Sequence, residues 1–185
     1  MLDFQRIVFI CMDNTAGSIM AESIFNSVME QLEPRQRIGV CSRGLVVLFP
    51  EPLNPGVVEV LEENHLSISK KYSEEIAPRD VAGGETLLLC MTDREKKMTK
   101  ERFPTALNLY TLSEFAGEQG EMRMPFGKDL EAYEDTLERM DMLVKLAAQR
   151  ILGNGNTAET NANEIETKFG KTEGKAEINN DSIRL

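Results

Sequence analysis

Residues Ile7-Val-Phe-Ile10 are four apolar side chains in a row, and Cys11 follows them directly. A run this short and uninterrupted suits a strand buried on both faces, as in the interior of a parallel sheet. The segment Met12-Asp-Asn-Thr-Ala-Gly17 that follows is small and polar, and Ser18-Ile-Met-Ala-Glu22 opens a helical pattern. Strand, tight loop and helix start therefore fall within sixteen residues, with a thiol at the mouth of the loop. A loop of this kind points backbone N–H groups inward at a helix N-terminus, which favours a phosphate and a nucleophilic thiolate. An arginine usually closes such an oxyanion loop, and here Gly17 occupies that place.

The rest of the chain extends this start into an alternating pattern. Apolar runs at Ile38–Cys41, Leu87–Met91 and Ala106–Tyr110 read as further parallel strands. Met20, Ile24, Phe25, Val28, Met29 and Leu32 share one helical face, and Val57, Val58, Val60 and Leu61 mark a second helix. Leu130, Tyr133, Leu137, Met140, Val144 and Ile151 repeat at the same period in a longer final helix. Strands alternating with helices predict a three-layer, doubly wound α/β domain. Ligands in such sheets bind beyond the carboxyl ends of the strands, where Cys11 lies.

Several pieces, taken in order, resemble the low-molecular-weight protein tyrosine phosphatase family, whose active-site loop reads Cys-x-Gly-Asn-x-Cys-Arg-Ser-Pro. Cys11 matches the nucleophile, Asn14 the loop-shaping residue, and Ser18 the hydroxyl beside the thiolate, with Ala21-Glu22 in the first helical turn. Ser42-Arg43-Gly44, Pro52-Leu-Asn-Pro55, Ile68-Ser69 through Ser73 and Ile76, Cys90-Met91-Thr92, Arg102-Phe103-Pro104 and Met124-Pro-Phe-Gly127 match later family segments. The departures are Asp13 for Gly, Ala16 for the second Cys, Gly17 for Arg, Ile19 for Pro, Lys71 for a His, and Met124 for Asp. The resemblance implies four parallel strands in the order 2-1-3-4, over residues 1–152. It also implies a phosphate loop of Met12, Asp13, Asn14, Thr15, Ala16 and Ser18, supported by Ser42, Arg43 and Lys71.

In the family the thiolate attacks phosphorus, the Arg clamps the equatorial oxygens, and the Asp protonates the leaving group. Losing one oxyanion donor costs about 10²–10³ in rate. Losing the general acid costs roughly 10²–10⁴ more, without simple multiplication. Asp13 is expected to stand in for a glycine at positive φ. At roughly 6 Å and an effective dielectric of about 20, its charge would repel each phosphate charge by about 3 kcal/mol. Arg43, Lys71, Arg123 and Lys128 are candidate replacement cations, with Arg43 first because it follows the second strand; surface charge is the simpler expectation for each. These substitutions imply a catalytically impaired homologue that binds a phosphorylated protein or small phosphoester weakly; the alternative is a phosphomonoester hydrolase with a substitute cation.

Composition sets limits on partners. A net charge of −10 argues against nucleic acid and anionic membranes. No segment reads as a signal peptide or membrane span, so a cytoplasmic location is expected. Cys11, Cys41 and Cys90 are an odd count and read as reduced thiols. Their common position near strand ends would allow a redox or soft-metal cluster, but small buried apolar residues are the expectation, with no metal and no cofactor. Ala16 removes the partner for loop oxidation, and Arg94–Lys100 lacks the cysteine pair of the related arsenate reductases. His65 reads as a surface residue. From Gly153 the composition turns polar, with Phe169 the only aromatic, and residues 153–185 are expected to be disordered.

Overall fold

The computed structural model describes residues 4–33, 37–125 and 129–153. The described residues belong to one compact unit within residues 1–153. The expected polar tail, Phe126, Gly127 and Lys128 therefore lie outside the described residues, apart from Gly153.

Four strands make one parallel sheet in the order β2-β1-β3-β4, as the resemblance implies. They are β1 (Arg6–Cys11), β2 (Gly39–Gly44), β3 (Thr86–Cys90) and β4 (Asn108–Thr111). The helices are α1 (Gly17–Glu30), α2 (Pro55–Glu63), α3 (Pro78–Val81), α4 (Asp93–Arg102), α5 (Leu112–Ala116) and α6 (Leu130–Leu152). Side chains alternate across a strand, so β1 feeds two cores. Ile7, Phe9 and Cys11 join the larger one, built with Ile24, Phe25, Leu61, Leu143 and Val144 of α1, α2 and α6. Val8 and Ile10 face the other side, with Ile76, Leu88, Cys90 and Phe103.

Two strands differ from their sequence reading. β2 continues three residues past Cys41, because Ser42 and Arg43 pair with Phe9 and Ile10 although neither is apolar. β4 starts at Asn108 rather than Ala106, since the Ala106 amide closes a turn on the Phe103 carbonyl at 3.0 Å.

The end of β1 is held close to β2. Cys11 pairs with Gly44, and a Cβ on Gly44 would stand 2.8 Å from the Asp13 carbonyl carbon and 3.0 Å from the Asn14 amide nitrogen. Glycine is needed here because the loop after Cys11 crosses directly over β2. The Leu45 and Val46 amides then donate to the Cys11 and Met12 carbonyls, at 3.0 and 2.8 Å.

Candidate phosphate-loop site

Cys11 is 6% exposed at the carboxyl end of β1, and the loop folds back around its sulfur. The Asn14 amide donates to Sγ at 3.2 Å, and the Ser18 hydroxyl lies 3.0 Å from it. Asn14 is wholly buried and adopts φ 58°, a left-handed conformation that Asn tolerates better than most residues. Its amide group donates to Ser18 and Ser42, both at 2.9 Å, and its side-chain oxygen accepts the Glu74 amide at 2.9 Å. Ser42 in turn donates to Glu22, which also accepts the Ser69 hydroxyl at 2.6 Å. This network fixes the loop from beneath, and every buried polar atom in it has a partner.

Three expectations about supporting residues are corrected. Asp13 is not the positive-φ residue; Asn14 is, and the Asp13 carboxylate instead accepts the Thr15 amide and hydroxyl, both at 3.0 Å. Lys71 is exposed, whereas its neighbour Lys70 turns inward to the Ser42 carbonyl at 2.8 Å, near Glu22 and Glu74. Extended backbone sends adjacent side chains to opposite sides, so a one-residue offset exchanges buried for solvated. Arg43 does not reach the loop. It pairs with Ile10 on the opposite face of the sheet, contacts Asp80 at 3.2 Å and Glu74 at 2.6 Å, and lines a separate cavity with Leu48 and Phe49.

The same alternation disposes of the cysteine cluster. Cys41 and Cys90 pair with Val8 and Ile10 and share their face of the sheet, while Cys11 faces the other core. Among the described residues no His, Cys, Asp and Glu group is placed to hold a metal.

A cavity of about 270 Å³ opens above Cys11, and its wall includes Met12, Asp13, Gly17, Met91 and Met124. Gly17 and Met124, separated by over a hundred residues, meet here. A Cβ on Gly17 would stand 3.3 Å from Met91 Cγ and 3.4 Å from Met124 Sδ. Two methionines thus crowd the position where the resemblance puts an arginine. Glu95 also lines the cavity, with its carboxylate accepting the Thr92 amide at 2.9 Å in the capping box of α4. Sequence reading missed Glu95, Lys70 and the role of Met91; the Thr92-x-x-Glu95 spacing was the one signal available for the first.

Electrostatically the cavity is poor in positive charge. Among the described residues Arg123 is the one cation on its wall, and that side chain is 87% exposed, with Glu121 at 4.0 Å. Burial pushes the Cys11 thiol up to about 11; the Ser18 hydroxyl and amide oppose this, while Asp13 and Glu95 add to it. Burial likewise raises the Glu95 carboxyl against the hydrogen bonds from Thr92, Met91 and Met12. Burial and the two carboxylates thus favour the thiol over the thiolate.

Comparison with known proteins agrees with this geometry. The model of the family "Low molecular weight phosphotyrosine protein phosphatase" matches residues 6–156. The low molecular weight protein-tyrosine-phosphatase PtpB of Staphylococcus haemolyticus is 31% identical over 143 residues, 76% of this chain and 95% of that protein. The protein-arginine-phosphatase of Bacillus subtilis is 28% identical over 147 residues, 78% of this chain and 95% of that one. Among solved structures, the low molecular weight protein tyrosine phosphatase from T. tengcongensis superposes with a TM-score of 0.70 at 29% identity, covering 78% of this chain and 98% of that chain. The YwlE arginine phosphatase from Geobacillus stearothermophilus gives 0.69 at 29% identity, covering 79% and 92%. A matching family model over most of the chain, together with a shared sheet order and loop position, means that this chain belongs to the low molecular weight phosphotyrosine protein phosphatase family.

Proposed function

We propose that this chain is a catalytically impaired family member that acts by binding, with all of its site chemistry within residues 1–152. Cys11 holds the nucleophile position, Gly17 the lost arginine position and Met124 the lost general-acid position. The observation that carries the reading is that a Cβ added to Gly17 would meet Met91 Cγ at 3.3 Å and Met124 Sδ at 3.4 Å. Two losses that would each cripple phosphoryl transfer are thereby joined in one apolar contact. A sulfur held as a thiol adds to them, because the thiol is a far weaker nucleophile than the thiolate.

The named activities of the two relatives, on phosphotyrosine and on phosphoarginine, set the inherited ligand class: a phosphorylated protein or small phosphoester, bound weakly. A cytoplasmic location belongs to the same reading, and no helix among the described residues is long and apolar enough to cross a membrane. A second reading, a phosphomonoester hydrolase with a substitute cation, draws on Arg123, which lines the cavity and has its guanidinium largely in water. Hydrolysis of an aryl phosphate separates the two. The impaired protein is expected to turn over at well below about 1 s⁻¹, the low end for ordinary enzymes. Faster turnover, abolished by Cys11→Ser, would reject the impaired reading in favour of the hydrolase.

A further inference from the structure

The residues that line the cavity above Cys11 are rich in sulfur. Met12, Met91, Met122 and Met124 join Cys11 among its eleven lining residues. The chain has ten methionines in 185 residues, so an even spread would put fewer than one there. Four meeting at a single wall requires an explanation beyond filling space, since Leu would fill an apolar wall with better-defined rotamers.

Their backbone positions are fixed even though their side chains are pliable. Met91 directly follows β3, with its amide donating to the Ile10 carbonyl at 3.1 Å. The Met122 amide donates to the Met91 carbonyl at 3.1 Å, which ties the two parts of the wall together. Met124 Sδ lies against Gly17, where the missing side chain leaves it room. Three rotatable bonds let each thioether swing toward an occupant.

Charge points the same way. Asp13 and Glu95 line the cavity, and the Asp13 carboxylate is 3.9 Å from the Cys11 sulfur. Such surroundings oppose an anion and favour a cation. A hard divalent ion is poorly served, because the two carboxylates are already engaged with Thr15 and Thr92. Thiolate and thioether donors select soft, low-charge ions instead.

We propose that this cavity is a soft-cation site that takes Cu(I), held by the Cys11 sulfur and the thioethers of Met91 and Met124. Met122 also lines the cavity, whereas Met12, although on its wall, packs against the second core. On binding, the Cys11 S–H bond breaks, its proton passes to solvent, and an S–Cu bond forms; copper stays Cu(I), and no electron is transferred. The proposal gives the same cavity a ligand beyond the phosphoester of the proposed function, and it stands or falls separately from that reading.

The test is an anaerobic titration of the full chain with Cu(I), in competition with a bathocuproine-type chelator whose copper complex is read by its absorbance. One Cu(I) per chain is expected to leave the chelator. Cys11→Ala, and separately the volume-conserving pair Met91→Leu with Met124→Leu, should each weaken retention by about tenfold or more. Cys41→Ser with Cys90→Ser should leave it unchanged, since those thiols face the other core. Retention unaffected by Cys11→Ala, or by the methionine pair in a chain with unchanged circular dichroism, overturns the proposal. So does failure of the full chain to hold copper, or loss of binding with Cys41 and Cys90. Aryl phosphate turnover on the same samples keeps the two readings apart: no turnover and no copper removes only the soft-cation site. Fast turnover that Cu(I) blocks stoichiometrically at Cys11 removes only the impaired reading.

Discussion

At position 17 an arginine would start from a Cβ already 3.3 Å from Met91 Cγ and 3.4 Å from Met124 Sδ, closer than most real contacts of that kind. Gly17→Arg alone is therefore expected to destabilise the chain by about 1–3 kcal/mol through overpacking. Met124→Asp should relieve part of that cost and supply an anionic neighbour. A denaturant double-mutant cycle is expected to give a coupling of about 1 kcal/mol or more, and additivity would show that the two sites do not touch in solution. The same double variant should recover some aryl phosphate turnover that neither single change gives. Cys11 carries a second expectation. With its thiol pushed up to about 11, alkylation by iodoacetamide should keep rising with pH beyond 9, with no plateau near neutrality. A plateau below pH 7 would mean that the sulfur is a stabilised thiolate and that the loop still concentrates positive charge.

The elements differ in how plainly their sequences declare them. β1 and β3 hold unbroken apolar runs and α1 and α6 carry apolar residues at a period of 3.6, so all four can be read directly. α4, with the sequence Asp-Arg-Glu-Lys-Lys-Met-Thr-Lys-Glu-Arg, has almost none, and only its Thr92–Glu95 capping box marks it. Its buried residues are Glu95 and Thr99, whose polar groups are satisfied by hydrogen bonds within the helix and its cap. The edge between β1, β2 and α3 is similarly hidden from the sequence. There Asp80, fully buried, meets Arg6 at 2.8 Å and Arg43 at 3.2 Å. Burial alone would raise the Asp80 carboxyl, but the Ala77 amide, Arg43 and Arg6 together hold it below its ordinary value of 3.8. A carboxyl lowered on folding contributes stability above its unfolded value, and the contribution disappears as pH falls through the folded value. Acid unfolding should therefore steepen below about pH 4. Asp80→Asn is expected to flatten that limb, and Asp80→Ala to cost about 3 kcal/mol at neutral pH, because Arg43, only 12% exposed, keeps Glu74 alone as its carboxylate and Arg6 loses its partner. An unchanged acid limb in Asp80→Asn would assign the pH dependence to other carboxylates.

For the whole molecule, the net charge of −10 and the local carboxylates act in the same direction on any anion that approaches the loop. Inorganic phosphate is expected to bind no more tightly than the millimolar range, about −4 kcal/mol, when titrated by phosphorus NMR. Micromolar binding would show that the loop amides suffice without the arginine. The sequence by itself determined the α/β class, the strand at Ile7–Ile10, the place of Cys11 at its carboxyl end, and the absence of arginine and acid from the matched positions. Those features are local: a run of apolar residues, a period, or a residue type at a fixed spacing. Only the tertiary structure decided which side chains share the cavity. Gly17, Met91 and Met124 lie on three separate segments, and nothing in their spacing along the chain brings them together. It also decided that Arg43 serves Asp80 rather than the loop, because pairing with Ile10 turns it to the opposite face. Strand alternation fixes such a choice absolutely once register is set, and register is a property of the assembled sheet rather than of any one segment.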